Sequence, residues 1–208
     1  METKELEKAE EKGNAQRKSE RMNVRDYITT AICFVLLYVV FAVVGTPIGM
    51  TVAGNLFIFA ACALLWGTIY LLLYSKVNKK GVVLLYSLIL AVFMLMNFWG
   101  ISLVIALGGV VAELVWRKLD RHKFSTMLIC FTIQIVAWYL AQALPLMVLK
   151  DLYLAAIPAY AELYSGVYEL LVGPMFFVGL AATVVGCIAG GFIGKLLLKK
   201  HFQKAGIV

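Results

Sequence analysis

Ala53–Ser75 reads AGNLFIFAACALLWGTIYLLLYS, an apolar run without one charged residue, closed on its far side by Lys76, Lys79 and Lys80. A helix rises about 1.5 Å per residue, so a run of this length covers a hydrocarbon core of about 30 Å. It is apolar on every face rather than along one stripe, as lipid demands of a solvent-like surround. Working outward, the same reading gives five further runs: 27–45, 81–97, 100–117, 124–148 and 169–197. The third and fourth runs are nearly continuous, and a tight external turn at Asn97–Gly100 separates them.

The whole chain agrees with these segments. Of its 208 residues 62% are hydrophobic and 15% charged, too few to cover a soluble domain of this size. The net charge of +7 is spread over short connections between apolar runs, which excludes a nucleic-acid face and points to anionic lipid headgroups. Cys33, Cys62, Cys130 and Cys187 each lie inside an apolar run and form no CxxC pair, so neither a disulfide framework nor a metal site is expected. The first apolar run follows a long charged segment and is too long for a signal-peptide core, so it is expected to stay as a membrane helix.

Orientation comes from the basic residues. Eighteen of the nineteen Lys and Arg residues fall in the 1–25 tail, the 76–80 and 117–123 connections and the end of the chain; Lys150 is the exception. Positive residues concentrate on the cytoplasmic side of short loops. The expected fold is therefore an all-α integral membrane protein: a charged cytoplasmic tail (1–25) and a six-helix membrane domain (26–208), both termini cytoplasmic. The expected location is the bacterial cytoplasmic membrane.

No catalytic motif is present. His122 and His201 lie in basic segments, and the Gly-rich Gly190–Leu196 stretch misses a phosphate loop because Ala189 and Leu196 stand where Gly and Ser/Thr are needed. No catalytic residue, metal ligand or bound cofactor is expected. Glu113, the one acid deep in a run, lies four residues before Arg117, a spacing that suits an ion pair better than proton coupling.

Polar residues in lipid mark either helix contacts or a site. Gln134, Trp138 and Gln142 share one face at spacing four, while Asn55, Asn97 and Trp99 lie toward the outer ends of their runs. Flat aromatics and amides together suit an outward-facing pocket for a small molecule. The external segment 149–168 carries Tyr160, Tyr164 and Tyr168 at i, i+4, i+8, either an interfacial aromatic belt or a ligand lid. Lys150 either pairs with Asp151 or meets an anionic ligand from outside. Gly186, Gly190 and Gly194 form a small-residue stripe that fits close helix packing inside the bundle or on a partner subunit.

The six-run size, the KVNKKG stretch (Lys76–Gly81), the Trp99–Gly100 and Ala112–Glu113 pairs and the ending Gly191–Val208 with its KHFxKAG pattern carry a family resemblance. The chain resembles the substrate-binding S components of energy-coupling factor (ECF) transporters, of the MptD/Trep_Strep family. That resemblance implies an S-component-like bundle that binds a vitamin, cofactor precursor or similar micronutrient. A queuosine-like base and haem stay open as ligands. It also implies a transmembrane coupling subunit and two ATPase subunits that use ATP, with the S component toppling in the membrane to deliver ligand. Many S components contact the coupling subunit through an AxxxA patch in the first helix. Here Ala31 is followed by Val35, so Thr30, Ala31, Phe34 and Val35 stand as the equivalent patch, beside the glycine face of the last run. A stand-alone secondary carrier or a membrane assembly protein are the competing functions.

Overall fold

The computed structural model describes residues 22–202, with side chains described as far as Lys200. Residues 1–21 of the charged tail, and residues 203–208 of the KHFxKAG ending, lie outside the described residues. Every described element is helical, and five helices are long and apolar enough to cross a membrane.

These are α1 (Val24–Gly49), α2 (Val52–Lys76), α4 (Trp99–Lys118), α5 (Phe124–Val148) and α8, which begins at Met175 and runs to Leu197. Between α2 and α4 stands α3 (Val82–Met94), apolar but only 13 residues long, or roughly 20 Å against a core of about 30 Å. The expected run to residue 97 ends early because Leu95–Asn97 form a turn, and Phe98 is extended ahead of α4. Two other boundaries also differ from the sequence reading. The first helix continues to Gly49 through a widened π turn at Phe41–Gly45, where Thr46 donates backbone N–H to the Phe41 carbonyl. Pro47 follows and has no N–H to give, so the regular hydrogen-bond ladder cannot persist there. Residues 169–171 belong not to the last span but to an outer helix, α7 (Ala161–Leu171). With α6 (Lys150–Ala156) and a 3₁₀ turn at Pro158–Tyr160, α7 forms the connection between α5 and α8.

The bundle closes as a ring in which α1 touches α3, α3 touches α4, α4 touches α5, α5 touches α8, and α8 returns through α2 to α1. The most extensive pairing is α2 with α8, and its cause is the glycine stripe. A Cβ on Gly190 would overlap the Ala63 carbonyl, and one on Gly194 would lie 2.8 Å from backbone atoms of Gly67. Backbone therefore meets backbone along this seam, which lets apolar helices gain dispersion contacts without help from water. Gly186, Gly190 and Gly194 are buried here, against the chain's own α2. The partner-contact alternative for these glycines is thereby corrected: their face is already occupied.

One end of the bundle gathers the basic segments. Lys79 Nζ pairs with Asp26 Oδ2 at 2.7 Å, Asn78 Nδ2 meets His122 Nδ1 at 3.1 Å, and Lys195 Nζ lies 4.5 Å from the Phe124 ring centre. Glu113 anchors this end. It pairs with Arg117 Nε at 2.7 Å, and it also accepts from the backbone N–H groups of Gly81 (2.7 Å) and Leu84 (3.3 Å). A carboxylate thus caps the start of α3, where the helix dipole favours negative charge. Gly81 adopts φ 94°, a left-handed conformation that a side chain would strain.

Candidate functional site

At the opposite end of the bundle a cavity of about 280 Å³ opens among five helices and the outer connection. Its walls come from the end of α1 (Tyr38, Phe41, Thr46, Gly49), the start of α2 (Asn55, Ile58), the α3–α4 turn (Met94, Asn97, Ile101) and α5 (Trp138, Gln142). The outer connection adds Tyr153, Ile157, Tyr160, Leu163 and Tyr164.

The floor is aromatic. Trp138 stacks on Trp66 at 4.9 Å with 8° between the planes, and Phe41 stacks on Trp138 at 5.4 Å. Trp66 is fixed in turn because its indole Nε1 donates to the Leu37 carbonyl at 2.9 Å. The widened turn of α1 leads straight into this stack, since Phe41 is its first residue. Above the floor, two amides are wired to the backbone. Asn55 Nδ2 donates to the Gly49 carbonyl at 3.1 Å, and Gln142 Nε2 donates to Asn55 Oδ1. Asn97 Nδ2 lies 3.7 Å from Met94 Sδ at the rim. Burial pushes the Tyr153 and Tyr164 hydroxyls above their ordinary range, and Tyr164 neighbours both Asn55 and Tyr153.

Six of the residues singled out in the sequence line this cavity together: Asn55, Asn97, Trp138, Gln142, Tyr160 and Tyr164. Three do not. Gln134 lies deeper in α5 and is consumed by the core: Tyr74 donates to its Oε1, while its Nε2 donates to Val83 O (3.0 Å) and Ser87 Oγ (2.6 Å). Trp99 is exposed beside Phe98 and is not among the lining residues. Tyr168 lies under Lys150, whose Nζ is 4.0 Å from the ring centre. The i, i+4, i+8 spacing of the three tyrosines does not place them on one helix. Tyr160 sits in the 3₁₀ turn ahead of α7, so only Tyr164 and Tyr168 belong to that helix. Lys150 packs on the Tyr168 ring instead of pairing with Asp151, and it is not among the residues that line the cavity.

Sequence reasoning missed Tyr38, Phe41, Thr46, Met94, Ile101 and Tyr153 as wall residues. The Gly45-Thr-Pro-Ile-Gly49 cluster was the available signal, because Gly and Pro inside an apolar run mark broken helix beside a cavity. On α1, Thr30 is buried with its hydroxyl donating to Asp26 O at 2.9 Å, and Phe34 packs against Phe93 at 5.9 Å. Ala31 and Val35 remain on the outer surface.

Over residues 24–204 the sequence matches a family described as hypothetical bacterial integral membrane protein (Trep_Strep). The chain belongs to this family. No curated protein and no solved structure is similar enough to add to that match. For this Trep_Strep protein the match and the apolar helices agree on a bacterial, multi-pass integral membrane protein.

Proposed function

We propose that the protein is a substrate-binding subunit of the ECF S-component type. In this reading it captures a small organic micronutrient from outside and delivers it by toppling against a transmembrane coupling subunit driven by two ATPases. The protein itself is not an enzyme and holds no cofactor. The observation that carries the reading is the separation of two ends: an uncharged cavity roofed by α6 and α7 at one, the clustered basic helix ends at the other. Positive residues favour the cytoplasm, so the cavity end faces outward and α3 counts as the sixth, short span. The cavity size lies near the lower end of small-molecule sites, about 300–1,000 Å³, which suits a vitamin-sized solute. The exposed Ala31–Val35 face of α1 is the part of the coupling patch open to a partner.

The test is reconstitution in liposomes with and without a coupling subunit and its ATPases. The reading expects ligand binding by the chain alone and uptake only when the module and ATP are present. Uptake driven by a proton or sodium gradient in the absence of the module refutes it and favours a secondary carrier.

A further inference from the structure

The hydrogen-bond polarity of the cavity says more about the ligand than its shape does. A backbone carbonyl can only accept, so the Gly49 carbonyl requires the amide nitrogen of Asn55 to face it. That leaves Asn55 Oδ1 toward Gln142 and draws the Gln142 nitrogen onto it. The orientation of both amides is thus set by one main-chain oxygen rather than chosen freely. Gln142, itself a wall residue, consequently keeps its Oε1 as an acceptor without a partner among the described residues.

Charge is the second constraint. Among the described wall residues there is no Asp, Glu, Lys, Arg or His. Lys150, the basic residue of the outer connection, lies on the Tyr168 ring, outside the lining. The first-turn N–H of Gly54 at the start of α2 is already taken by Thr51 Oγ1 at 3.0 Å. A carboxylate or phosphate entering here would lose its water and gain no counter-charge, which is strongly unfavourable. The wall is instead rich in aromatic side chains, with Phe41, Trp138, Tyr160 and Tyr164 among its lining residues.

We propose, resting on the binding-subunit reading above, that the cavity takes a flat heteroaromatic compound that carries a ring, amino or carboxamide N–H and no negative charge, with Gln142 Oε1 accepting from that N–H. Anionic relatives of the same ring are excluded.

The experiment presents the purified full chain, in lipid nanodiscs, with an equimolar mixture of matched pairs. The pairs are nicotinamide with nicotinate, adenine with adenosine monophosphate, and pyridoxamine with its phosphate. Retained compounds are read by mass spectrometry, and affinities by quenching of tryptophan fluorescence. Retention of the uncharged or cationic member of a pair, at least tenfold over its anionic partner, is the expected result. Gln142→Leu should reduce that retention about tenfold or more while thermal unfolding confirms a folded protein. If Gln142→Leu does not fold, the pairwise preference of the unaltered chain decides by itself. Preferential retention of an anionic member overturns the ligand class and leaves the binding-subunit reading standing. Retention of no compound by the folded chain overturns both.

Discussion

Replacing Gly190 by Ala adds one methyl group to the α2–α8 seam, and the structure shows where that methyl must go. Its carbon would overlap the Ala63 carbonyl oxygen, with the Ala63 carbonyl carbon at 2.7 Å and Leu64 Cα at 3.0 Å. All three are backbone atoms, so no rotamer change relieves the contact; the helices must separate or slide. One turn to either side they are held equally close, because a Cβ at Gly186 would meet Ala60 Cα at 2.9 Å and one at Gly194 would meet Gly67 at 2.8 Å. Overpacking costs about 1–3 kcal/mol, and the rigid surround places this site near the top of that range. Ala is favoured over Gly inside a helix by about 1 kcal/mol, which offsets part of the loss. A net destabilisation of about 2 kcal/mol follows, or a fall in Tm of about 4–8 °C for a chain of this size. The assay is thermal unfolding followed by tryptophan fluorescence in a mild detergent, with Gly173→Ala as the control. At Gly173 the nearest heavy atom to an added Cβ is 3.6 Å away, so that variant should change stability by less than about 0.5 kcal/mol. Equal stability of the two variants would refute the close seam. If Gly190→Ala instead kept its stability and lost association with a coupling subunit, the stripe would be a partner surface.

Trp138 is 6% exposed and fills core as well as cavity, so Trp138→Ala should cost about 3–5 kcal/mol of stability and report poorly on binding. Trp138→Phe keeps much of the packing and should weaken a stacking ligand by about tenfold in a fluorescence or calorimetric titration; unchanged affinity would place the ligand elsewhere. Glu113→Ala removes the acceptor of the Gly81 and Leu84 N–H groups at the start of α3 and the partner of Arg117, and should lower stability by about 2–4 kcal/mol in the same unfolding assay, with no change expected on an exposed acid such as Glu169. The affinity for a non-titrating probe should be flat between about pH 5 and 8.5. The described wall residues include no carboxylate, amine or imidazole, and raised Tyr153 and Tyr164 hydroxyls stay protonated on the acidic side of the ordinary tyrosine value of about 10. A binding transition near pH 6 or 7 would reveal a titrating group in the site.

The apolar runs were legible because lipid imposes a length and a composition on any helix that crosses it, whatever surrounds that helix. Boundaries were legible where charge marks them, as at Lys76 and Lys118, and failed where the helix end is decided by packing. Glu169–Leu171 looked continuous with the final span, yet Gly173–Pro174 interrupts the helix and the segment closes α7, which lines the cavity through Leu163 and Tyr164. The face shared by Trp138 and Gln142 was readable from helical spacing. Gln134 shares that spacing but lies one turn pair deeper, where Tyr74, Val83 and Ser87 absorb its polar atoms.

By itself, then, the sequence determined a multi-pass membrane protein, the positions of its apolar helices, the gathering of basic residues into a few connections and the scarcity of charge within the apolar runs. Each of these follows from local composition and from the free-energy cost of polar groups in hydrocarbon. Tertiary structure alone decided which faces meet. It turned the glycine stripe inward onto α2, set Lys150 on Tyr168, and brought Phe41, Asn55, Trp138, Gln142 and Tyr164 around one cavity. Helical periodicity says which residues share a side of one helix, but not what stands opposite; that depends on the close packing of all the helices at once.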